Sequence, residues 1–270
     1  MSCVKIWTVS SEEVPRRLFL PEFLTGFDNG EKWDVRDYLV FRAPPRRARE
    51  GGVMSNPGTY TTDTSDMFSV HRALLNALGE APTYVSSAIF NAQRAEMIGS
   101  FYENVLEFLH VHHTGEDELV YPLLEERCKE ELPLIQRIDA QHKYLDEPMD
   151  AGRSAIAAWR AAPSPEEAQA VLDSLSSIVE TLRPHLSDEE IYVVPLCSAW
   201  ISSEEWSRLP GHAIMSFRAD KPFLAFGLVY EQLDADRRDA VLAGMPPEFR
   251  TVVTEQWLPA FDTYIAEVRR

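Results

Sequence analysis

One stretch occurs twice and constrains this chain more than any other feature. His112-His113-Thr114-Gly115-Glu116-Asp117-Glu118-Leu119-Val120-Tyr121-Pro122 has a counterpart in His185-Leu186-Ser187-Asp188-Glu189-Glu190-Ile191-Tyr192-Val193-Val194-Pro195. Both read His, three residues, Glu, five residues, Pro. With 7 His, 43 Asp+Glu and 18 Pro in 270 residues, composition predicts roughly 0.07 such patterns by chance, so two in register mark internal symmetry. A His and a Glu four apart lie on one helical face, about one turn from each other. Two such pairs directed at one core suggest a two-metal site.

The surrounding periodicity supplies the helices to carry it. A first helix is predicted from the capping residues Asp63-Thr64-Ser65 to about Leu78, with Met67, His71, Leu74 and Leu78 on its inner stripe. A second covers roughly 84–121, with a possible break near its start. Its stripe is Ile98, Phe101, Val105, Phe108, His112, Glu116 and Leu119. His110 and His113 fall off that stripe and read as surface residues or as residues behind the ligands. The alternative register would pair His113 with Asp117; the stripe and the Pro-anchored repeat favour His112 with Glu116. Gly115 costs about 1 kcal/mol in a helix relative to Ala, and is expected to give close access to the site.

A third helix is predicted over Leu132–Ala161, carrying His142 among Ile135, Ile138, Leu145, Met149, Gly152 and Ile156, with a kink at Pro148. Asp146, beside Leu145, can look toward the same pocket. The fourth opens with the capping sequence Ser164-Pro165-Glu166-Glu167. It continues through Val171, Leu175, Ile178, Leu182, His185, Glu189 and Tyr192, bent locally by Pro184. The expected fold is all-α: an antiparallel four-helix bundle over 54–198, whose polar centre is a standard place for a two-metal carboxylate site. Four His and two Glu satisfying one another in a dry core without metal would be expensive.

Residues 199–270 show no ligand spacing, although they include His212. Ser202-Ser203-Glu204-Glu205 caps a short helix, and further amphipathic segments carry Trp206, Phe223, Phe226, Tyr230, Trp257 and Phe261. They read as a helical extension packing on the bundle, or as the surface of a homodimer. Residues 1–53 differ from the rest: their net charge is +1 against −18 for 54–270, and they end in the Pro-, Arg- and Gly-rich run Ala43–Gly52. They are read either as an extension upstream of a natural start at Met54 or as a poorly ordered arm.

A net charge of −17 argues against nucleic acid or an anionic membrane as partner. No apolar run approaches the roughly 20 residues that span a bilayer. Charged residues interrupt the first 20 where a signal peptide needs an apolar core, so a cytoplasmic location is expected. Cys3, Cys128 and Cys197 are odd in number and scattered, which argues against a disulfide framework or zinc ribbon. Cys128 and Cys197 are expected to pack as small apolar residues.

The ordered set His71, His112, Glu116, His142, His185 and Glu189 resembles the hemerythrin-like (HHE cation-binding) family. The segments Asp66–Leu74 and His112–Leu119 are similar to its actinobacterial branch. The resemblance covers residues 64–196. It implies a non-haem di-iron centre with an oxo or hydroxo bridge between the ions; the mixed imidazole and carboxylate set itself puts iron first and manganese second. Carried over, His71 and His112 would bind one iron, His142 and His185 the other, and Glu116 and Glu189 would bridge them. The oxygen-carrying members have a second His four residues after the third-helix His. Here that position is Asp146, which is either a seventh ligand or leaves a place open. The last carboxylate follows its His by four residues, not five as in the carriers. Both departures speak against simple oxygen carriage. The resemblance implies a protein that binds or reduces peroxide, O2 or NO, including peroxide disproportionation. The contrasting reading is an iron- or oxygen-sensing module acting through a partner; a structural bundle with adventitious metal is the third.

Overall fold

The computed structural model describes residues 58–270 and, ahead of them, only the backbone of two strands, β1 (Thr25–Asp28) and β2 (Glu31–Asp34). These pair antiparallel, Thr25 opposite Asp34 and Asp28 opposite Glu31. Between them the sequence has Asn29-Gly30, a strong short hairpin signal. The rest of residues 1–53, on which the expectation of an upstream extension or a poorly ordered arm falls, lies outside the described residues.

The bundle is all-α, as the stripes require. α1 (Asp66–Gly79) and α2 (Ala81–Ala88) precede the long α3 (Ala92–Leu119), whose start is fixed by the Asn91 side chain accepting from the Arg94 N–H. The second predicted helix is therefore broken at Asn91. It breaks again at Val120, where α4 (Tyr121–Arg127) begins with Pro122 in its first turn, a position that needs no N–H donor. α6 (Lys143–Ala161) and α7 (Pro165–Asp188) complete the four-helix square with α1 and α3. Ser164 caps α7 by accepting from Glu167 N–H.

Two expectations about the helices need correction. The third helix is not continuous: α5 (Leu132–Asp139) ends, and α6 starts only after His142. Tight i→i−3 bonds from Gln141, His142, Tyr144 and Leu145 form the turn between them. Pro148 lies inside α6, and the interruption falls ahead of it. The fourth helix does not keep a 3.6-residue period to Tyr192. After Asp188 the chain makes a π turn over Glu189–Val193, closed by the Val194 N–H reaching back to Glu189 O, before α8 (Val194–Trp200) resumes. Pro195 has no N–H and its ring would press on the carbonyl four residues back, which a wider turn relieves. The extra residue shifts the face, so Val193 is buried and Tyr192 is exposed.

The remaining helices are α9 (Ser203–Trp206), α10 (Arg208–Ser216), α11 (Pro222–Tyr230), α12 (Ala235–Gly244), α13 (Pro247–Val252) and α14 (Leu258–Val268). A second π turn, Val253–Trp257, again precedes a proline, Pro259. Trp206, Phe223, Trp257 and Phe261 are buried, the last three in the same apolar cluster as the bundle interior. Gly227 permits α11 to lie directly against Phe261 of α14.

Two apolar clusters result. The larger fills the bundle between α1, α2, α3, α6 and α7 and extends into the tail. The smaller gathers Met67, Tyr121, Leu124, Ile135, Ile138, Val193, Val194 and Trp206. Cys128 and Cys197 lie in this second cluster, and burial raises both thiols above their ordinary range, Cys128 to about 11. They pack as the small apolar residues anticipated. Among the described residues no helix is long and apolar enough to cross a membrane.

Candidate metal centre

The stripes bring one histidine from each side of the square to one place. His71 comes from α1, His112 from α3, His142 from the turn before α6, and His185 from α7. Glu116 and Glu189 follow His112 and His185 by one turn, and both are buried. Glu116 Oε2 lies 3.6 Å from His112 Nε2 and 3.7 Å from His142 Nε2. Glu189 Oε2 lies 3.5 Å from His71 Nε2 and 3.6 Å from His185 Nε2, while its Oε1 is 3.7 Å from His142 Nε2. Each carboxylate thus stands between imidazoles of different helices.

These separations exceed those of good hydrogen bonds. They are only a little longer than the roughly 3–3.5 Å between two donors that each sit about 2.1 Å from a shared ion. Among the described residues, eight buried side-chain nitrogen or oxygen atoms have no hydrogen-bond partner, and seven converge here. They are the Nε2 atoms of His71, His112, His113, His142 and His185, with Glu116 Oε2 and Glu189 Oε2; the eighth is Trp159 Nε1. Unpaired buried polar atoms each cost on the order of 1–3 kcal/mol. Seven inward lone-pair donors of mixed imidazole and carboxylate type fit a cation, and fit iron or manganese better than calcium or magnesium.

His113 corrects the sequence reading. It does not lie on the surface. Its side chain is buried, its ring stacks on His142 with centroids 4.2 Å apart, and it meets His185 edge-on at 5.2 Å. The donors fall into two groups within metal-sharing distance, His71, His112, Glu116 and Glu189 in one, and His113, His142 and His185 in the other. Asp146 joins neither: it is exposed, because Leu145 takes the inward position at the start of α6 and the next residue points about 100° away. His110 is exposed as expected. His212 sits outside the centre, with Nδ1 3.5 Å from Glu118. Gly115 gives access not to the centre but to α10: a Cβ there would meet His212 at 3.2 Å and Leu209 at 3.4 Å.

The other ring nitrogens are anchored. His142 Nδ1 donates to Asp117 Oδ1 at 2.7 Å, and His71 Nδ1 to Glu190 Oε1 at 3.0 Å. Gln141 donates through Nε2 to Asp188 Oδ2 at 3.1 Å, which turns its carbonyl oxygen toward His185 Nδ1, also at 3.1 Å. Since carboxylates and amide oxygens only accept, all three rings carry their proton on Nδ1 and present Nε2 to the centre. Tyr121 donates its hydroxyl to Glu189 Oε1 at 2.7 Å and packs edge-on against His142.

The electrostatics are those of a dry, crowded centre. Burial, and then the neighbouring imidazoles, push His112 and His113 well below the usual histidine range. Burial likewise brings His185 down to about 4. For His142 burial also works downward, but Asp117 and the two glutamates prevail and raise it to about 10. Burial and the charge of Glu189 push Glu116 well up. Burial acts upward on Glu189 too, yet His142 and the surrounding imidazoles hold it below the ordinary range.

Compared with known proteins, residues 62–197 match the family model described as the Hemerythrin HHE cation binding domain. Neither the curated proteins nor the solved structures gave a match.

Proposed function

The chain belongs to the hemerythrin HHE cation-binding family and carries its metal-binding, iron-type module; from that premise we propose that it holds two iron ions and uses them to bind or reduce a small oxidant, peroxide, O2 or NO. His71 and His112 would hold one ion and His142, His185 and His113 the other, with Glu116 and Glu189 available to both. The convergence of seven unpartnered buried donors carries this reading. Iron held there supplies one-electron chemistry toward such oxidants. The chain's part is to turn the Nε2 atoms of His71, His142 and His185 toward the centre through bonds on their Nδ1 atoms, to exclude water with two apolar clusters, and to fix Glu189 through the Tyr121 hydroxyl. Glu116 Oε2 has no such donor, so it is the carboxylate freer to move when a ligand arrives.

The alternative, a sensing module that signals through a partner, draws on one observation: α10 seats on Gly115, between two donors of the centre. Of the tail's aromatic side chains, which a docking surface would display, Trp206, Phe217, Phe223, Phe249, Trp257 and Phe261 are instead buried, while Phe226, Tyr230 and Tyr264 are half-buried. The oxidant-handling reading is therefore preferred. Its test is the metal content and optical spectrum of aerobically purified protein, followed by challenge with H2O2, O2 and NO. Two irons per chain with oxidant-dependent spectral change or O2 evolution from H2O2 supports it. Two irons without any response favours the sensor. Zinc or no metal overturns it.

A further inference from the structure

Resting on the ligand set proposed above, we propose that Asp117 and Glu190 are positioning residues of the centre, each fixing a histidine of a neighbouring helix, and that the functional repeat is H-x-x-x-E-[D/E]. Each acid immediately follows a repeat glutamate: Glu116-Asp117 in the first copy, Glu189-Glu190 in the second. One residue of helix turns the side chain by about 100°. The glutamate therefore faces the middle of the bundle while the next acid faces an adjacent helix.

The contacts follow that geometry. Asp117, at the end of α3, reaches His142 ahead of α6; Glu190, in the π turn, reaches His71 on α1. Both bonds end on Nδ1, and both imidazoles are within 8 % of full side-chain burial. The acids themselves are 49 % and 35 % exposed, so each reaches from the water side of the bundle to a buried ring. A carboxylate can only accept, so it selects the tautomer with Nδ1–H and leaves the Nε2 lone pair aimed at the cation. It also makes that nitrogen a stronger donor. His185 is oriented by a neutral group instead, the Gln141 amide backed by Asp188. A plain surface ion pair would not end on the ring nitrogen opposite the orphaned one in both copies.

The test compares ferrous-iron affinity, by competition with a chromogenic chelator, and thermal unfolding of chelator-treated protein. Asp117→Ala and Glu190→Ala should each weaken iron binding by about 10–100-fold, with circular dichroism unchanged. Asp117→Asn and Glu190→Gln, which keep an acceptor but lose the charge, should fall between these and wild type. Asp146→Ala, on the exposed face of α6, should bind like wild type. Wild-type affinity in both alanine variants, alongside lost binding in His71→Ala and His142→Ala, overturns the positioning role and leaves the ligand set standing. Wild-type affinity in the two histidine variants overturns the ligand set itself, and the positioning role with it. If an alanine variant does not fold, unchanged affinity in both Asp117→Asn and Glu190→Gln overturns the proposal.

Discussion

Glu116 and Glu189 occupy the same place in the two repeats and both are buried, yet protons divide unequally between them. Glu189 accepts from Tyr121 and is surrounded by His71, His142 and His185, which keep it ionised. Glu116 has no donor on Oε2 and faces the charge of Glu189, which raises its proton affinity. The backbone differs too: Glu116 O accepts an ordinary i→i−4 bond from Val120, whereas Glu189 opens a π turn. Two buried carboxylates so close cannot both hold a charge without a cation. The copy with more donors is held low; the other is pushed up.

Four experiments can break or sharpen that contrast. The largest effect is expected at the histidines. His185→Ala and His113→Ala should each lose at least one bound iron and the thermal stabilisation that iron confers, since binding to the folded state alone is stabilising. His110→Ala should keep both, measured by metal analysis and calorimetry. Full iron content in His113→Ala would remove that residue from the ligand set.

The second experiment swaps the acids for amides in chelator-treated protein. Glu189→Gln should cost on the order of 3 kcal/mol, because it strips charge from a buried paired group. Glu116→Gln, close in shape to its protonated form, should stay within about 1 kcal/mol of wild type by chemical denaturation. Equal losses would erase the asymmetry. The third is Tyr121→Phe, which removes the donor from Glu189 and should cost about 1–3 kcal/mol, read by the same denaturation. No loss would mean the hydroxyl does not hold Glu189.

The fourth and smallest concerns the segments that follow the repeats. Arg127, ending α4, makes a two-pronged bond to Glu205 of α9, at 2.9 and 2.7 Å, and also holds Trp200 O. That bond, ahead of the opposing effect of burial, lowers the Glu205 carboxyl to about 2. A depressed acid contributes stability above its unfolded value near 4.5, and that contribution disappears as pH falls through about 2. Glu205→Gln should therefore lower stability by about 0.5–1 kcal/mol at pH 7. The difference from wild type should vanish near pH 2; a constant difference across that range would refute the ion-pair account.

Much of this centre could be read from periodicity. His71, His112, His142, His185, Glu116 and Glu189 all lie on inward stripes, and the structure gathers them. His113 was missed because a stripe argument admits one residue per turn, whereas a wide polar centre collects side chains from an arc of 100° or more. Adjacent histidines, His112-His113, were the available signal. The alternative register was half right: His113 points inward, but its supposed partner Asp117 turns outward to His142. Tyr192 was misplaced because the π turn before Pro195 shifts the face by one residue. The break at 140–142 has no Pro or Gly to announce it; it is held by tertiary bonds from Gln141 and His142. Residues of the tail showed their helices but not where they dock, since apolar stripes do not name their partners.

Gly115 leaves a turn of α3 without a side chain on its outer surface, and α10 lies over that bare turn. The consequence concerns hydration. Glycine exposes helical backbone to water, and here that backbone joins His112 to Glu116. With His212 and Leu209 lying over it, Gly115 is buried. In the second copy the same position is Asp188, whose side chain is occupied with Gln141 and Arg137. One repeat is thus sealed from outside by a distant part of the chain, and the other by its own residue.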